Sequence, residues 1–190
     1  MKLNDKAVIF SFIICVFGIA RIFISCNKDS SPKAITIVKC VTCANGGLCI
    51  NDTCRCPAGY EGTGCQTLSI DKFIGTWDVF EKGTLTPSRQ YSVEIESMIN
   101  PNSADSVTIS NFYNNSINRL VGYAVVDTLY IPSQQNSGKI IIGKGFIHPD
   151  PTFGQNGAIT MSYAVTDVST GAVDDFGYYS TADNQSLWSR

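Results

Sequence analysis

The sequence predicts a mainly β protein, in which a small disulfide-rich module precedes an antiparallel β-barrel or sandwich of about eight strands. Three observations predict this fold class. Six of the eight cysteines in the 190-residue chain lie between Cys40 and Cys65. From Leu68 onward there is no cysteine, and apolar and polar residues alternate with a period of two. Turn-forming residues separate the alternating runs, and no segment after residue 25 has a helical apolar pattern.

Residues 1–25 have the features of a secretory signal. Lys2 and Lys6 supply positive charge, an apolar run of 14 residues follows at 7–20, and Ser25 is a small residue at the cut. The run is shorter than the ~20 residues that a helix needs to cross a bilayer, and Arg21 interrupts it. A membrane-spanning anchor is the less favoured alternative.

The signal ends in Phe23-Ile24-Ser25-Cys26, which resembles a bacterial lipobox. The resemblance implies that Cys26 is lipidated, with acyl chains such as palmitate, and becomes the mature N-terminus. Each buried CH₂ adds ~0.8 kcal/mol, so several acyl chains hold a protein firmly on a membrane. The alternative is that Cys26 is an ordinary thiol after a cleaved signal.

Residues 26–39 are expected to form a polar tether. Its first part, 27–32, resembles the Lys-plus-acidic signal that sends Bacteroidetes lipoproteins to the outer cell surface. The resemblance implies an outer-membrane, lipid-anchored location that faces the cell surface. The alternative is a plain polar linker of Ser, Pro and Lys.

The segment 40–65 is too short to surround a hydrophobic core, so its six cysteines are expected to form disulfides. Spacing alone leaves 15 pairings open. Zinc is the competing interpretation, because Cys40 and Cys43 have ligand-like spacing. Six thiols, an exported chain and a Gly-rich sequence favour disulfides.

Three motifs in this segment resemble an epidermal-growth-factor-like (EGF-like) domain. They are Asn45-Gly46-Gly47-Leu48-Cys49, Cys54-x-Cys56-Pro57 and Gly59-Tyr60-x-Gly62-x-x-Cys65. The resemblance implies the bridges Cys40–Cys49, Cys43–Cys54 and Cys56–Cys65. We expect no calcium site, because the stretch before Cys40 has no carboxylate and Ca²⁺ takes six or more oxygen ligands.

Residues 68–190 are expected to form one β domain with an ordinary core. The predicted strands are 76–81, 91–96, 106–110, 120–126, 128–131, 139–148, 159–166 and 176–181. Predicted turns are Lys82-Gly83, Asn100–Asn102, Ser133–Gly138 and Pro149–Pro151, and Asn156-Gly157 is typical of a hairpin turn.

Gly75-Thr76-Trp77, at the start of this domain, resembles the Gly-x-Trp of lipocalin-type barrels. The resemblance implies that Gly75 and Trp77 close one end of a barrel. The order of export signal, EGF-like module and small β domain resembles that of Bacteroidetes surface lipoproteins, and this resemblance brings no established activity.

Composition excludes several function classes. The net charge of −2 without a basic block argues against a nucleic-acid partner, and a single histidine, His148, argues against His-based metal sites and Ser/Cys–His catalysis. We expect no catalytic residue, metal or cofactor. Glu94 with Glu96, or Asp174 with Asp175, could hydrolyse a glycosidic bond only across a cleft. Residues i and i+2 share one face of a strand, so a solvated face is the favoured interpretation of the glutamates.

Aromatic residues are the better functional indication, since residues 68–190 contain fifteen of them. Phe112-Tyr113 and Tyr178-Tyr179 are expected to place one ring of each pair at solvent or at a barrel mouth, while core packing accounts for most other rings. We therefore expect a non-enzymatic, membrane-anchored envelope lipoprotein whose β domain binds a glycan, peptide or protein. The alternative is a lipocalin-like carrier with a small apolar ligand inside the barrel.

Overall fold

The computed structural model describes residues 42–98, 103–114, 117, 119–180 and 184–190. The module contains the short strands β1 (Leu48–Ile50), β2 (Thr53–Arg55), β3 (Tyr60–Glu61) and β4 (Thr67–Leu68), followed by a 3₁₀ helix, η1 (Ser69–Lys72). The β domain contains β5 (Gly75–Glu81), β6 (Arg89–Ser97), β7 (Ser106–Ser110), β8 (Leu120–Val125), β9 (Thr128–Asn136), β10 (Lys139–Asp150), β11 (Gly154–Asp167), β12 (Val173–Phe176) and β13 (Ser186–Ser189).

Eight of these strands close into an antiparallel barrel, which decides between the barrel and the sandwich. Strands β5 to β11 follow one another in an up-and-down meander, and β13 pairs with both β11 and β5 to close it. The shorter β12 pairs with the C-terminal part of β11, beyond the residues that pair with β13. The closed barrel leaves few unpaired strand edges.

The barrel interior is filled by side chains. Along β5, buried Trp77 and Val79 alternate with exposed Asp78 and Phe80, as the period of a strand requires. The same alternation on the other strands produces one continuous buried cluster: Val93, Ile95, Val107, Ile109, Leu120, Leu129, Ile131, Ile141, Ile147, Ile159, Met161, Tyr163, Val165 and Trp188 are among its members.

Two glycines of β10 make room for Tyr163 and Met161. A Cβ at Gly143 would lie 2.6 Å from the Cβ of Tyr163, and a Cβ at Gly145 would lie 2.7 Å from the Cε of Met161. At both positions a larger residue would require its neighbour to shift, so Tyr163 and Met161 occupy the space that larger β10 residues would need.

The barrel has two ends, the η1 end, where β5 begins, and the Glu81 end, where β5 stops. At the η1 end, the indole Nε1 of Trp77 donates a hydrogen bond to the carbonyl oxygen of Phe73 (2.7 Å), and the guanidinium of Arg190 lies 4.3 Å from the Trp77 ring centre. At the Glu81 end, the connection between β7 and β8 places Phe112 and Ile117 fully within the core. The structure thus places Trp77 where β5 begins, beside η1.

Two of the three disulfides implied by the EGF-like resemblance are present. Cys43 is joined to Cys54 and Cys56 to Cys65. Cys49 is also disulfide-bonded, and its expected partner, Cys40, lies outside the described residues.

The module packs on the η1 end of the barrel, and both belong to one compact unit. Lys72 lies between Glu61 of the module (2.9 Å) and Asp127 of the β8–β9 turn (2.6 Å). Gly59 accepts a hydrogen bond from the backbone N–H of Ser69 (2.9 Å) and lies against Ala104, so close that a Cβ would not fit. The module therefore covers part of the η1 end of the barrel. This contact stabilises a module that is too small to have a hydrophobic core of its own.

Three local predictions are wrong. The expected strand 176–181 ends at Phe176, where β12 stops, because Gly177 has φ = 77° and Asp175 accepts the N–H groups of residues 178–180. The turn expected over 133–138 is confined to Ser137-Gly138, since β9 extends to Asn136. Asn156-Gly157 lies within β11, and the β10–β11 connection spans 151–153 instead.

Candidate functional site

The paired carboxylates considered from the sequence occupy very different environments. Glu94 and Glu96 are both exposed on the outer face of β6, as two residues of one strand face should be. Asp174 is buried and accepts hydrogen bonds from the N–H of Leu85 (2.8 Å), from both the N–H and the hydroxyl of Thr86, and from the hydroxyl of Tyr113 (2.9 Å). Its oxygens hold the loop between β5 and β6 on β12.

Asp175 holds the segment that follows β12. Its carboxylate accepts hydrogen bonds from the N–H groups of Tyr178 (2.9 Å), Tyr179 (3.1 Å) and Ser180 (3.0 Å), and from the hydroxyl of Ser180 (2.8 Å). Burial raises the pKa of Asp175, but these donors outweigh it and hold the pKa below its usual value. The two aspartates therefore anchor loops through the hydrogen bonds that their side-chain oxygens accept.

A third carboxylate, Glu81, lies inside the barrel and is 1% exposed. Its Oε1 accepts hydrogen bonds from Nε (2.9 Å) and Nη2 (2.7 Å) of Arg89 and from the hydroxyl of Tyr91 (2.8 Å). Its Oε2 accepts hydrogen bonds from the hydroxyls of Tyr163 (2.7 Å) and Ser186 (2.7 Å). The negative charge is thus paired with one guanidinium and solvated by three hydroxyls, which a buried carboxylate requires.

The tyrosines of this network titrate far from their ordinary range. Burial raises the pKa of Tyr163, and the neighbouring Tyr91 and Glu81 raise it further. Burial also raises the pKa of Tyr91, and the charge of Glu81 adds to the effect. Both hydroxyls remain protonated donors at every physiological pH, so the network is a fixed structural arrangement.

The aromatic pairs expected to expose one ring each are not on strands. Phe112 is fully buried, with its ring centre 4.7 Å from that of Tyr163, and Tyr113 is half-buried at the Glu81 end. Tyr178 is half-buried, whereas Tyr179 is 67% exposed. Only the second pair therefore presents a ring freely to solvent.

A groove on the outer face of the barrel has a composition suited to binding. It has a volume of about 420 Å³ and runs across β9, β10 and β11 to the residue before β13. Its lining residues are Thr128, Tyr130, Lys144, Gly145, Phe146, Thr160, Ser162 and Gln185. This volume lies within the roughly 300–1,000 Å³ range of small-ligand sites.

Strand register brings these residues together in two rows. In the first row, Tyr130 lies opposite Tyr123 on one side and Lys144 on the other, and Lys144 lies opposite Ser162. In the second row, Phe146 lies between Thr128 and Thr160. Directly opposed residues have Cβ atoms about 5 Å apart, so the rows form one continuous surface.

The rings of the groove are supported by neighbouring rings. Tyr130 stacks on Tyr123, with ring centres 5.1 Å apart and planes inclined by 15°. Phe146, which is 53% exposed, lies nearly parallel to the His148 ring at 6.5 Å. The Nε2 atom of His148 lies 2.9 Å from the hydroxyl oxygen of Thr160, which fixes the imidazole. The groove therefore presents rings whose orientations are set by the strands.

The polar groups of the groove include one cation and no carboxylate. Within the described part of the chain, no side chain forms an ion pair or hydrogen bond with Lys144. The amide Nε2 of Gln185 donates to the hydroxyl oxygen of Ser162 (2.9 Å). The carbonyl oxygen of Gln185 and the hydroxyl proton of Ser162 are not used by that bond.

Sequence reasoning did not single out this surface. The alternation of β10 contained a usable signal, because Lys144, Phe146 and His148 alternate with Gly145 and Ile147. Small and apolar residues mark the inward face, which assigns the lysine and the phenylalanine to the outside. The neighbours on β9 and β11 depend on register, which one strand does not reveal.

Comparison with known proteins does not assign the chain to a family. No protein-family model matches the sequence, and no curated protein matches it. Within the described residues, no helix has the length and apolar content needed to cross a membrane. Across the same residues, no group of three or more His, Cys, Asp or Glu side chains is placed to hold a metal ion.

Proposed function

We propose that this protein is a non-enzymatic, membrane-anchored lipoprotein of the cell envelope that binds a partner on the outer face of its barrel. The groove around Phe146 carries the binding part of the proposal. An exposed phenylalanine and a lysine that no described side chain neutralises lie on one strand face there, and both are placed to contact a bound molecule.

The anchoring part is supported by the N-terminal sequence. Cys26 follows an apolar run and a small residue, and the tether 26–39 separates it from the module. The disulfides of the module are typical of an oxidising, exported environment. Intact mass measurement of the full-length chain, produced in a bacterium that processes lipoproteins, should show an acylated N-terminal cysteine. The variant Cys26→Ala should lose the acyl mass and leave the membrane fraction, and acylation that persists in it contradicts the assignment.

The non-enzymatic part is supported by how the acidic groups are used. Asp174, Asp175 and Glu81 accept hydrogen bonds that hold loops or the core, and Glu94 and Glu96 share one exposed strand face. A pair of carboxylates that cleaves a glycosidic bond flanks its substrate from two sides, which none of these arrangements does.

A small apolar ligand inside the barrel is disfavoured because the interior is occupied. Trp77, Tyr163, Met161 and Trp188 lie within one continuous buried cluster. An internal ligand would have to displace such side chains, at a cost of several kcal/mol for each large residue removed from its contacts.

Binding at the groove is tested with two exposed phenylalanines of the outer face. Full-length protein in detergent is screened against arrays of glycans, peptides and envelope proteins. Phe146→Ala should weaken binding of the partner found by at least about tenfold, since it removes a stacking surface. Phe80→Ala is the matched control, because Phe80 is 56% exposed on β5 and does not line the groove. Unchanged binding by Phe146→Ala, or no partner on any array, contradicts the proposal.

A further inference from the structure

We infer that the groove binds an acidic saccharide, with a sugar ring stacked on Phe146 or Tyr130 and its carboxylate or sulfate on Lys144. This inference rests on the proposed function and specifies the chemistry of its partner. The groove offers three kinds of contact in one place, and a charged pyranose is the class of ligand that uses all three.

The first contact is an aromatic face. A pyranose presents a face of C–H groups that packs on a ring held at a fixed angle, and it presents hydroxyls at its edge. Tyr130 is held by Tyr123 at 5.1 Å and Phe146 lies beside the fixed ring of His148. Rigid rings lose little conformational entropy on binding, which favours them over flexible apolar side chains as contact surfaces.

The second contact is a set of hydroxyl and amide groups at the groove edge. Thr128 and Thr160 flank Phe146, and Ser162 with Gln185 flank Lys144 on the far side. These groups both donate and accept hydrogen bonds, as the hydroxyls of a sugar do. Gln185 already donates to Ser162, and the Thr160 hydroxyl already contacts His148. A purely apolar ligand would still leave the Gln185 carbonyl oxygen and the Ser162 hydroxyl proton unused, which costs free energy when water is excluded.

The third contact is the charge of Lys144. The lining contains no Asp or Glu, and within the described residues nothing neutralises this ammonium group. The chain as a whole is acidic, with a net charge of −2, so a cation in this groove that no described side chain neutralises favours an anionic ligand group at that position. A peptide strand is disfavoured, because the barrel wall here is fully paired and offers no free strand edge.

The inference is tested by a pair of saccharides that share the same sugar rings and differ in charge. Full-length protein in detergent is titrated with a hexasaccharide of galacturonic acid and with its methyl ester, which keeps the rings and removes the carboxylate charge. Hexasaccharides of mannuronic acid and of chondroitin sulfate extend the test to other acidic rings. We expect the galacturonic acid hexasaccharide to bind about tenfold more tightly than its methyl ester, the factor typical of one charge-assisted hydrogen bond. The difference should shrink as salt is added.

Two lysine variants assign the effect to the groove. Lys144→Met keeps the aliphatic stem and should reduce the preference for the acid to within about twofold, whereas Lys144→Arg should keep it. Lys82→Met is the matched control, because Lys82 is exposed directly after the last residue of β5 and does not line the groove. Phe146→Ala should weaken the acid and the ester alike.

The outcomes separate this inference from the proposed function. Equal affinities for acid and ester, an unchanged preference in Lys144→Met, or no binding of any of the three acids at about 1 mM overturns the acidic-saccharide assignment. If a neutral glycan or a peptide instead binds in a manner that requires Phe146, the groove remains a binding site and only its ligand class is wrong.

Discussion

Replacing Glu81 by glutamine perturbs the buried network at a single atom. The substitution preserves the shape of the side chain, removes its charge and turns one acceptor oxygen into an NH₂ donor. One partner, Arg89, then keeps a half-buried guanidinium without its counter-ion. A second partner, Ser186, already accepts a hydrogen bond from Trp188 (2.8 Å) and would face a second donor. Both changes destabilise the folded state.

The magnitude follows from the surroundings of the pair. Breaking a buried ion pair by removing one partner costs about 3–5 kcal/mol. The side chain of Arg89 is 20% exposed, which places the expected loss of unfolding free energy near the lower value, about 3 kcal/mol. For a folded unit of this size, that loss lowers the Tm by roughly 6–12 °C.

The assay is urea unfolding followed by tryptophan fluorescence. Both tryptophans of the chain, Trp77 and Trp188, are buried in the barrel, so the signal reports the barrel directly. Glu94→Gln is the matched control, because it makes the same chemical change on an exposed face and should alter stability by less than about 0.5 kcal/mol. A loss below about 1 kcal/mol in Glu81→Gln would refute the network as a main stabilising feature.

A double variant distinguishes the loss of the ion pair from a general packing defect. Adding Arg89→Met to Glu81→Gln removes the unpaired charge and leaves two neutral side chains. The double variant should be no less stable than Glu81→Gln alone, which would show that the two residues are energetically coupled. Additive losses would mean that each residue acts independently.

Two further predictions concern the two ends of the barrel. Burial raises the folded-state pKa of both Tyr163 and Tyr91, so the unfolding free energy should be constant up to about pH 10 and fall above it by roughly 1.4 kcal/mol per pH unit for each tyrosine. Urea midpoints measured up to about pH 11 check this, and a midpoint that stays constant between pH 10 and pH 11 contradicts it. Arg190→Ala should lower the unfolding free energy by about 2 kcal/mol, because the guanidinium covers the Trp77 ring and donates to the carbonyl oxygens of Ile74 and Lys72. Arg190→Lys should recover less than half of that loss in the same urea assay, and full recovery would argue against the two-donor geometry.

The parts of the fold that could be predicted depend on local patterns. The alternation over 106–110 defines β7 without any knowledge of its neighbours, and the alternation of β5 places Trp77, Val79 and Glu81 on one face. This alternation places the Glu81 carboxylate among residues that face the barrel interior. A buried, paired Glu81 could therefore have been inferred from the sequence. The partner Arg89 could also have been suggested, since it begins the next strand across a hairpin.

The parts that could not be predicted depend on distant contacts. Asn156-Gly157 has the sequence of a tight turn, yet both residues lie within β11, where the register of its pairing with β10 shifts between Gly154 and Ala158. The turn forms earlier instead, where the Asp150 carboxylate accepts the N–H groups of Thr152 (2.7 Å) and Phe153 (3.0 Å). The groove has the same origin, because its rows exist only once four segments of the chain have their register.

The placement of the candidate site on the outside of the barrel follows from how the inward positions are used. Domains of this size are stable by about 5–15 kcal/mol, and removing one large core side chain costs about 2–5 kcal/mol. An interior cavity large enough for a ligand would require several such removals in a barrel that already buries the charge of Glu81. The outward positions carry no such constraint, so Phe146 and Lys144 can be selected for what they contact rather than for what they support. A barrel with a packed interior can therefore acquire a binding surface on its wall at little cost to its stability.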